Sequence, residues 1–350
     1  MNRIYKHRLF WPVLSLLVLI VVNTIARPQF IEITLQDGRL YGALIDILRN
    51  SAPLMLVALG MTIVIATRGI DLSVGAVMAV SGAVALTIID RSGSPGAVGT
   101  VFVAVIVAIL VSLVLGAWNG FLVSVLKIQP IIATLVLMLA GRGVALLITG
   151  GFITTVNSEP FAFIASGYVL LLPVAFFISI AAIAAVALVE RRTALGVLTE
   201  SVGINPEASR LAGVRSRGII WGAYMVSGTL AGAAGVIYAS NIKAADANAA
   251  GLFIELYAIL AVVLGGTSLA GGKFSIAGTV IGVFIIQTLE STILFLGVPS
   301  AQSPVFFAVV VVVVVVAQSQ RMRGAIARVG DAFRKQDAPE RDDEKVEVAR

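Results

Sequence analysis

Long apolar runs separated by short polar breaks set the pattern of this chain, and ten of them precede a change of composition near residue 320. They cover residues 9–26, 51–67, 74–90, 98–126, 128–149, 168–189, 219–240, 255–270, 275–296 and 304–318. Apolar runs of about 16–25 residues have the length that a helix needs to cross the hydrocarbon core of a bilayer. A membrane β-barrel would show shorter segments of alternating polarity. The pattern predicts an all-α fold, a polytopic membrane helical bundle of about ten transmembrane helices with glycine-interrupted spans. The first run follows Arg3, Lys6, His7 and Arg8, as in a signal peptide. It is too long for one and no small-x-small cleavage site follows, so it is expected to stay as the first membrane helix.

Composition agrees: 59% of the 350 residues are hydrophobic and 13% charged, where soluble domains carry about 25% charged residues. The absence of cysteine removes thiol catalysis, Cys-ligated zinc and iron–sulfur clusters, and the single histidine, His7, excludes a His-based triad or metal site. No cofactor is expected. The net charge of +6 acquires its meaning from placement. With the amino terminus inside, ten crossings put nineteen basic residues in the cytoplasm, among them Arg68, Lys127, Arg191, Arg192, Arg210, Arg215, Arg217, Lys273 and eight beyond residue 320. Only Arg27, Arg39, Arg49, Arg91 and Lys243 fall outside. Cytoplasmic loops hold the excess of Lys and Arg, so the basic balance signals orientation, with both termini cytoplasmic, and calls for no nucleic acid. Residues 1–320 form the membrane domain and 321–350 a charged cytoplasmic tail.

The longest inner loop, residues 190–218, carries a dense helix-start signal in Asn205-Pro206-Glu207. Asn accepts backbone N–H groups as an N-cap, Pro suits the first helical position, and Glu complements the positive end of the helix dipole. Ala208, Leu211 and Ala212 supply a small apolar face, and Gly213 a stop. Such an element is either a capped surface helix or a lever that docks into a partner at the membrane face.

At this loop the chain resembles a known family. The stretch Glu200 to Val214, with Gly203, Asn205, Ala208 and Gly213, resembles the ATPase-coupling loop of permease subunits from ABC sugar importers of the ribose type. The stretches Gly69 to Gly75 and Ala261 to Lys273 look like the same family, and the resemblance covers roughly residues 50–318. Ser201 departs from the alanine usual there. Residues 35–40 and 245–252 are similar to galactofuranose permeases in particular. The resemblance implies a transport subunit that is not itself an enzyme. It works with an ABC ATPase subunit, a periplasmic sugar-binding protein and a second, identical or different permease subunit, in the bacterial inner membrane. Glu200, Gly203, Asn205, Pro206, Glu207, Ala208, Arg210 and Gly213 then carry the coupling. The chain agrees by omission, since it has no phosphate-binding loop. Gly266 precedes Gly272-Lys273 by one residue too many and Phe274 replaces the hydroxyl residue.

Polar residues inside membrane spans are costly and mark candidate sites. Asp71, Trp118, Asn119, Arg142 and Gln287 are such residues, suited to line a sugar path by hydrogen bonds and an aromatic face. The alternative is scaffolding, with Arg142 paired to Asp71 or Glu290. The paired Gly-x-x-Leu-x-x-Gly stretches at 69–75 and 266–272 suggest broken helices, and Gly228, Gly232 and Gly235 suit close helix packing. An ion-coupled secondary sugar transporter, with Asp71 and Glu290 carrying the ion, is the competing function; it would have no ATPase for the capped loop to engage.

Overall fold

The computed structural model describes residues 9–36, 38–297, 305, 308, 309 and 312. Residues 1–298 form one unit; of the second, 299–350, the four described residues are helical. The rest of the tenth apolar run, the charged tail and the basic residues before Leu9 lie outside the described residues.

Nine of the apolar runs contain helices. They are α1 (Phe10–Ala26), α2 (Ala43–Ala66), α3 (Val74–Asp90), α4 (Val98–Ser124) and α5 (Pro130–Thr149), followed by α6 (Glu159–Ser166) and α7 (Val174–Arg192). Two short helices, α8 (Leu195–Ile204) and α9 (Pro206–Leu211), lead into α10 (Ser216–Ile242), α11 (Ile254–Leu264) and α12 (Ile276–Phe295). Small two-stranded pieces cap one end: β1 (Thr34–Gln36) with β2 (Arg39–Tyr41), β3 (Thr154–Thr155) with β6 (Ala244–Ala245), and β4 (Tyr168–Val169) with β5 (Leu172–Pro173). Among the described residues α2, α4, α5, α7, α10 and α12 are long and apolar enough to cross a membrane; α1 and α3 have 17 residues each. The chain is a multi-pass membrane helical bundle.

Three boundaries differ most from the sequence pattern. The run 168–189 opens on the β4–β5 hairpin and is helical only from Val174. Helix α2 begins at Ala43, eight residues before the apolar run, and passes through Pro53. Its polar first turns are anchored by an Arg49–Asp46 ion pair at 3.3 Å. Helix α11 has 11 residues, about 16 Å at about 1.5 Å per residue, roughly half of the hydrocarbon core. The preceding residues 246–253 include no helix or strand.

Helices α2 and α3 are buried along most of their length, and α10 crosses both as well as α4. Close approach there depends on missing Cβ atoms. Gly228 sits against Ser112 and Gly116 of α4, Gly232 against Ser112, and Gly235 against the Met78 backbone of α3. Exposed faces of α4 and α5 are apolar, with Phe102, Val114, Leu139 and Leu147 outward, as a lipid-facing surface requires.

The loops sort to two ends. The Gly272 amide donates to the Ala66 carbonyl at 2.9 Å, joining the α11–α12 and α2–α3 connections. Lys127, after α4, lies within electrostatic reach of Glu207 on α9. At the opposite end the Leu40 amide donates to Leu171 and β3 pairs with β6.

Candidate functional site

Helix α9 forms as its start signal dictates. Asn205 Oδ1 accepts the backbone amides of Glu207 at 3.1 Å and Ala208 at 3.0 Å, and Pro206 opens the helix. Glu207 accepts two hydrogen bonds from Arg210 Nε, at 3.1 and 3.2 Å. That guanidinium holds the Glu207 carboxyl below the usual range. Gly213, at φ 86°, turns the chain away. Glu207, Ala208, Arg210, Leu211 and Ala212 are all exposed, and Leu211 is 76% exposed. Val197 and Ile204 of α8 are also exposed apolar residues.

The same element is tied into the bundle from behind. Ser216 Oγ, at the start of α10, donates to the Pro206 carbonyl at 3.0 Å. Gly203 lies so close to the end of α2 that a Cβ would run into the Ala66 carbonyl oxygen and the Gly272 amide. Arg68 Nε donates to the Ala270 carbonyl at 3.0 Å. Gly203 thus faces its own chain and is buried. Of the eight coupling candidates, Gly203 and, through its carbonyl, Pro206 are joints to the bundle, while Glu200 is half-buried on α8.

Five residues beyond Ala66 the chain reaches Asp71, 1% exposed. Its carboxylate accepts the Ser73 amide at 3.0 Å and the Ser73 hydroxyl at 2.6 Å on Oδ1, and the Ser227 hydroxyl of α10 at 2.9 Å on Oδ2. Asn119 of α4, 0% exposed, donates to Ser73 Oγ at 2.7 Å. Tyr224 of α10 is fully buried against Gly69, where a Cβ would meet its hydroxyl. Asp71, Ser73, Asn119 and Ser227 therefore form one polar knot joining the α2–α3 connection to α4 and α10. Three donors already occupy the carboxylate that an ion-coupled carrier would need free.

The other path candidates do not converge on it. Arg142 of α5 forms no ion pair among the described residues, so the pairing with Asp71 or Glu290 is not made. Its Nη1 donates to the carbonyls of Ala247 at 3.0 Å, Asn248 at 3.2 Å and Ala250 at 3.1 Å. Irregular backbone at membrane depth is tolerated only where its polar groups are satisfied by protein or water, and Arg142 does this for the segment before α11. Gly251, at φ 62°, there meets Gly75 backbone to backbone. Gln287 is buried on α12, one turn before Glu290. Trp118 points out of the chain, 53% exposed and stacked on Phe121.

Ser73, Ser227 and Tyr224 escape sequence reasoning because serine is common in membrane helices and each gains its partner only through the fold. Glu255, buried beside Gly75, carried one signal, a carboxylate in the first turn of an apolar run. No group of three or more His, Cys, Asp or Glu that could hold a metal occurs among the described residues.

The family model described as branched-chain amino acid transport system / permease component matches residues 43–315. The galactofuranose transporter permease protein of Escherichia coli K12 is 46% identical over 323 residues, 90% of this chain and 92% of that protein. The fructose import permease protein of Bifidobacterium longum is 40% identical, covering 93% and 92%. The ribose import permease protein of Haemophilus influenzae is 35% identical, covering 85% and 88%. No solved structure matches the chain.

Proposed function

The chain belongs to this family of transport-system permease components, and from that premise we propose that it is the membrane subunit of an ATP-driven importer of a monosaccharide, galactofuranose in the first instance. The subunit hydrolyses nothing itself. It takes the sugar from a periplasmic binding protein, spans the bacterial inner membrane about ten times with both termini cytoplasmic, and pairs with a second permease subunit. The ATPase engages α8 and α9.

One observation carries the mechanism: α9 presents exposed Leu211 outward while its other attachments close a ring through the bundle. From α9, Ser216 leads to α10; Ser227 of α10 leads to Asp71; Asp71 leads back along the α2–α3 connection to Ala66; and Gly203 returns to α8. A push on α9 is transmitted to α10 and to the α2–α3 connection together, because the interior is close-packed and cannot absorb the displacement. The polar knot acts as a strut in that ring. Asn119 and Asp71 serve the coupling, and the sugar passes elsewhere.

The test is copurification with the cognate ATPase, followed by sugar uptake. Leu211→Glu and Val197→Glu place a charge where an apolar surface docks, away from the Ala66–Gly203–Gly272 joint. Both should abolish stoichiometric ATPase binding and uptake while the purified chain keeps its thermal unfolding temperature. Full ATPase binding in both variants would refute the docking assignment.

A further inference from the structure

Between α7 and α10 the bundle leaves an open apolar groove of about 550 Å³. Its walls are Ala185, Val186 and Val189 of α7 and Gly218, Gly222 and Val226 of α10; Ile63 of α2 and Leu113 of α4 also line it, as do Leu195 and Thr199 of α8. Two features of this groove have no explanation within the chain itself. Gly218 and Gly222 lie in a helix, where glycine costs about 1 kcal/mol relative to alanine. A Cβ at either would meet nothing within 4 Å, unlike Gly228, Gly232 and Gly235 farther along the same helix, whose absent Cβ atoms let α4 and α3 approach. The two glycines therefore clear space for something beyond the described residues.

The second feature is Glu190, which also lines the groove. Its Oε2 is buried without a hydrogen-bond partner among the described residues, and the like-charged Glu200 lies within electrostatic reach. A buried carboxylate oxygen without a donor is costly, and two neighbouring carboxylates favour a cation. Exposed Arg191 and Arg192 follow directly on α7, and exposed Arg217 precedes the groove wall at Gly218; none has an ion-pair partner among the described residues. The trough thus carries an acceptor for an ammonium in its lining, with donors for a phosphate on the residues next to Glu190 and Gly218 in the chain.

We propose that this groove is a specific site for a phospholipid with a primary-amine headgroup, of the phosphatidylethanolamine class. One acyl chain lies between α7 and α10 over Gly218 and Gly222, the ammonium donates to Glu190, and the phosphate accepts from Arg191, Arg192 and Arg217. Guanidinium groups suit phosphate oxygens because they present several donors in a plane. A purely anionic lipid would satisfy the arginines and leave Glu190 repelled; a quaternary choline headgroup has no N–H to give it. The groove also touches α8, so the bound lipid would brace the base of the ATPase-facing element. The lipid site itself does not depend on the proposed function.

The test uses the full-length chain, purified in detergent and equilibrated with an equimolar mixture of phosphatidylethanolamine, phosphatidylglycerol and phosphatidylcholine, with native mass spectrometry reading the retained lipid. The wild type should retain phosphatidylethanolamine about tenfold over the other two, the effect of one charge-assisted hydrogen bond. Glu190→Gln should remove that preference while keeping total lipid. Gly222→Leu fills the groove where the backbone has room for a side chain and should remove the bound lipid altogether; Ala185→Leu gives the same reading if that variant fails to fold. Equal retention of the three lipids by the wild type, or undiminished retention in the groove-filling variant, would overturn the proposal. So would an oxidative disulfide between two Gly222→Cys chains, since the protein has no other cysteine and the groove would then belong to a second copy.

Discussion

Arg142 changes its meaning once its surroundings are visible. Paired with a carboxylate, it could be removed together with its partner at little cost, because an absent pair is cheaper than an unpaired buried charge. Bound instead to the carbonyls of Ala247, Asn248 and Ala250, it has no such partner to delete. Arg142→Leu should leave acceptors worth about 1–3 kcal/mol each unsatisfied and sharply lower the yield of folded protein, and Glu255→Gln should not restore it. Thermal unfolding in detergent of the single and double variants decides this; recovery in the double variant would return Arg142 to an ion pair. Ser227 is the milder case. Ser227→Ala removes one hydrogen bond to the Asp71 carboxylate and should cost about 1–2 kcal/mol, while uncoupling ATP hydrolysis from uptake. Uptake per ATP at the wild-type value would detach the polar knot from coupling.

At the scale of elements, α9 was fully legible in Asn205-Pro206-Glu207, because capping is local chemistry that needs no tertiary partner. Asn205→Ala should cost about 1 kcal/mol of helix stability and impair ATPase binding mildly, as a titration of the ATPase against the variant would show. Gly203 was legible only as a motif position. Its side of the helix was not, because a bare glycine carries no polarity to say which way it faces. Since even one Cβ overlaps the Ala66 carbonyl, Gly203→Ala should lose folded protein before any effect on docking can be measured, whereas Gly213→Ala, where a Cβ meets nothing, should fold with strain confined to its φ of 86°. Comparable yields of the two variants in size-exclusion chromatography would show that the packing at Gly203 is loose. Helix α11 was overestimated for the same kind of reason: residues 265–270 carry no charge to end the span, but the Gly265 backbone is needed against Gly278 of α12, and the helix stops.

Across the whole molecule, the clustering of Arg68, Lys127, Arg210 and Lys273 near the same set of joined loops fits one membrane face, and Lys243 lies at the other with β3 and β6. The cysteine-free sequence permits a direct check with an impermeant thiol reagent. Ser94→Cys and Asn157→Cys should react in intact cells, and Leu211→Cys only after permeabilisation. Ser209 of the same helix is buried and would be silent on either side. Reaction of Leu211→Cys in intact cells would invert the topology. Hydropathy was a poor guide to depth within the bundle: α4 is the more apolar helix yet mostly exposed, whereas α2 is less apolar and mostly buried. Lipid is itself apolar, so apolarity does not separate lipid-facing from buried positions; close helix contact is instead marked by small residues such as Gly228, Gly232 and Gly235 of α10.

The sequence alone determined what depends on composition and on neighbours along the chain: membrane helices from unbroken apolar length, and the capped α9 from three adjacent residues. Only the tertiary structure decided which polar residues meet. Asp71 and Ser227 are 156 residues apart, and Arg142 binds carbonyls 105 to 108 residues away. Backbone carbonyls leave no trace in side-chain pattern, so the acceptor of a buried guanidinium cannot be read from residue types. The outward turn of Trp118 was hidden likewise, because in a bilayer a lipid-facing aromatic and a path-lining one obey the same hydropathy.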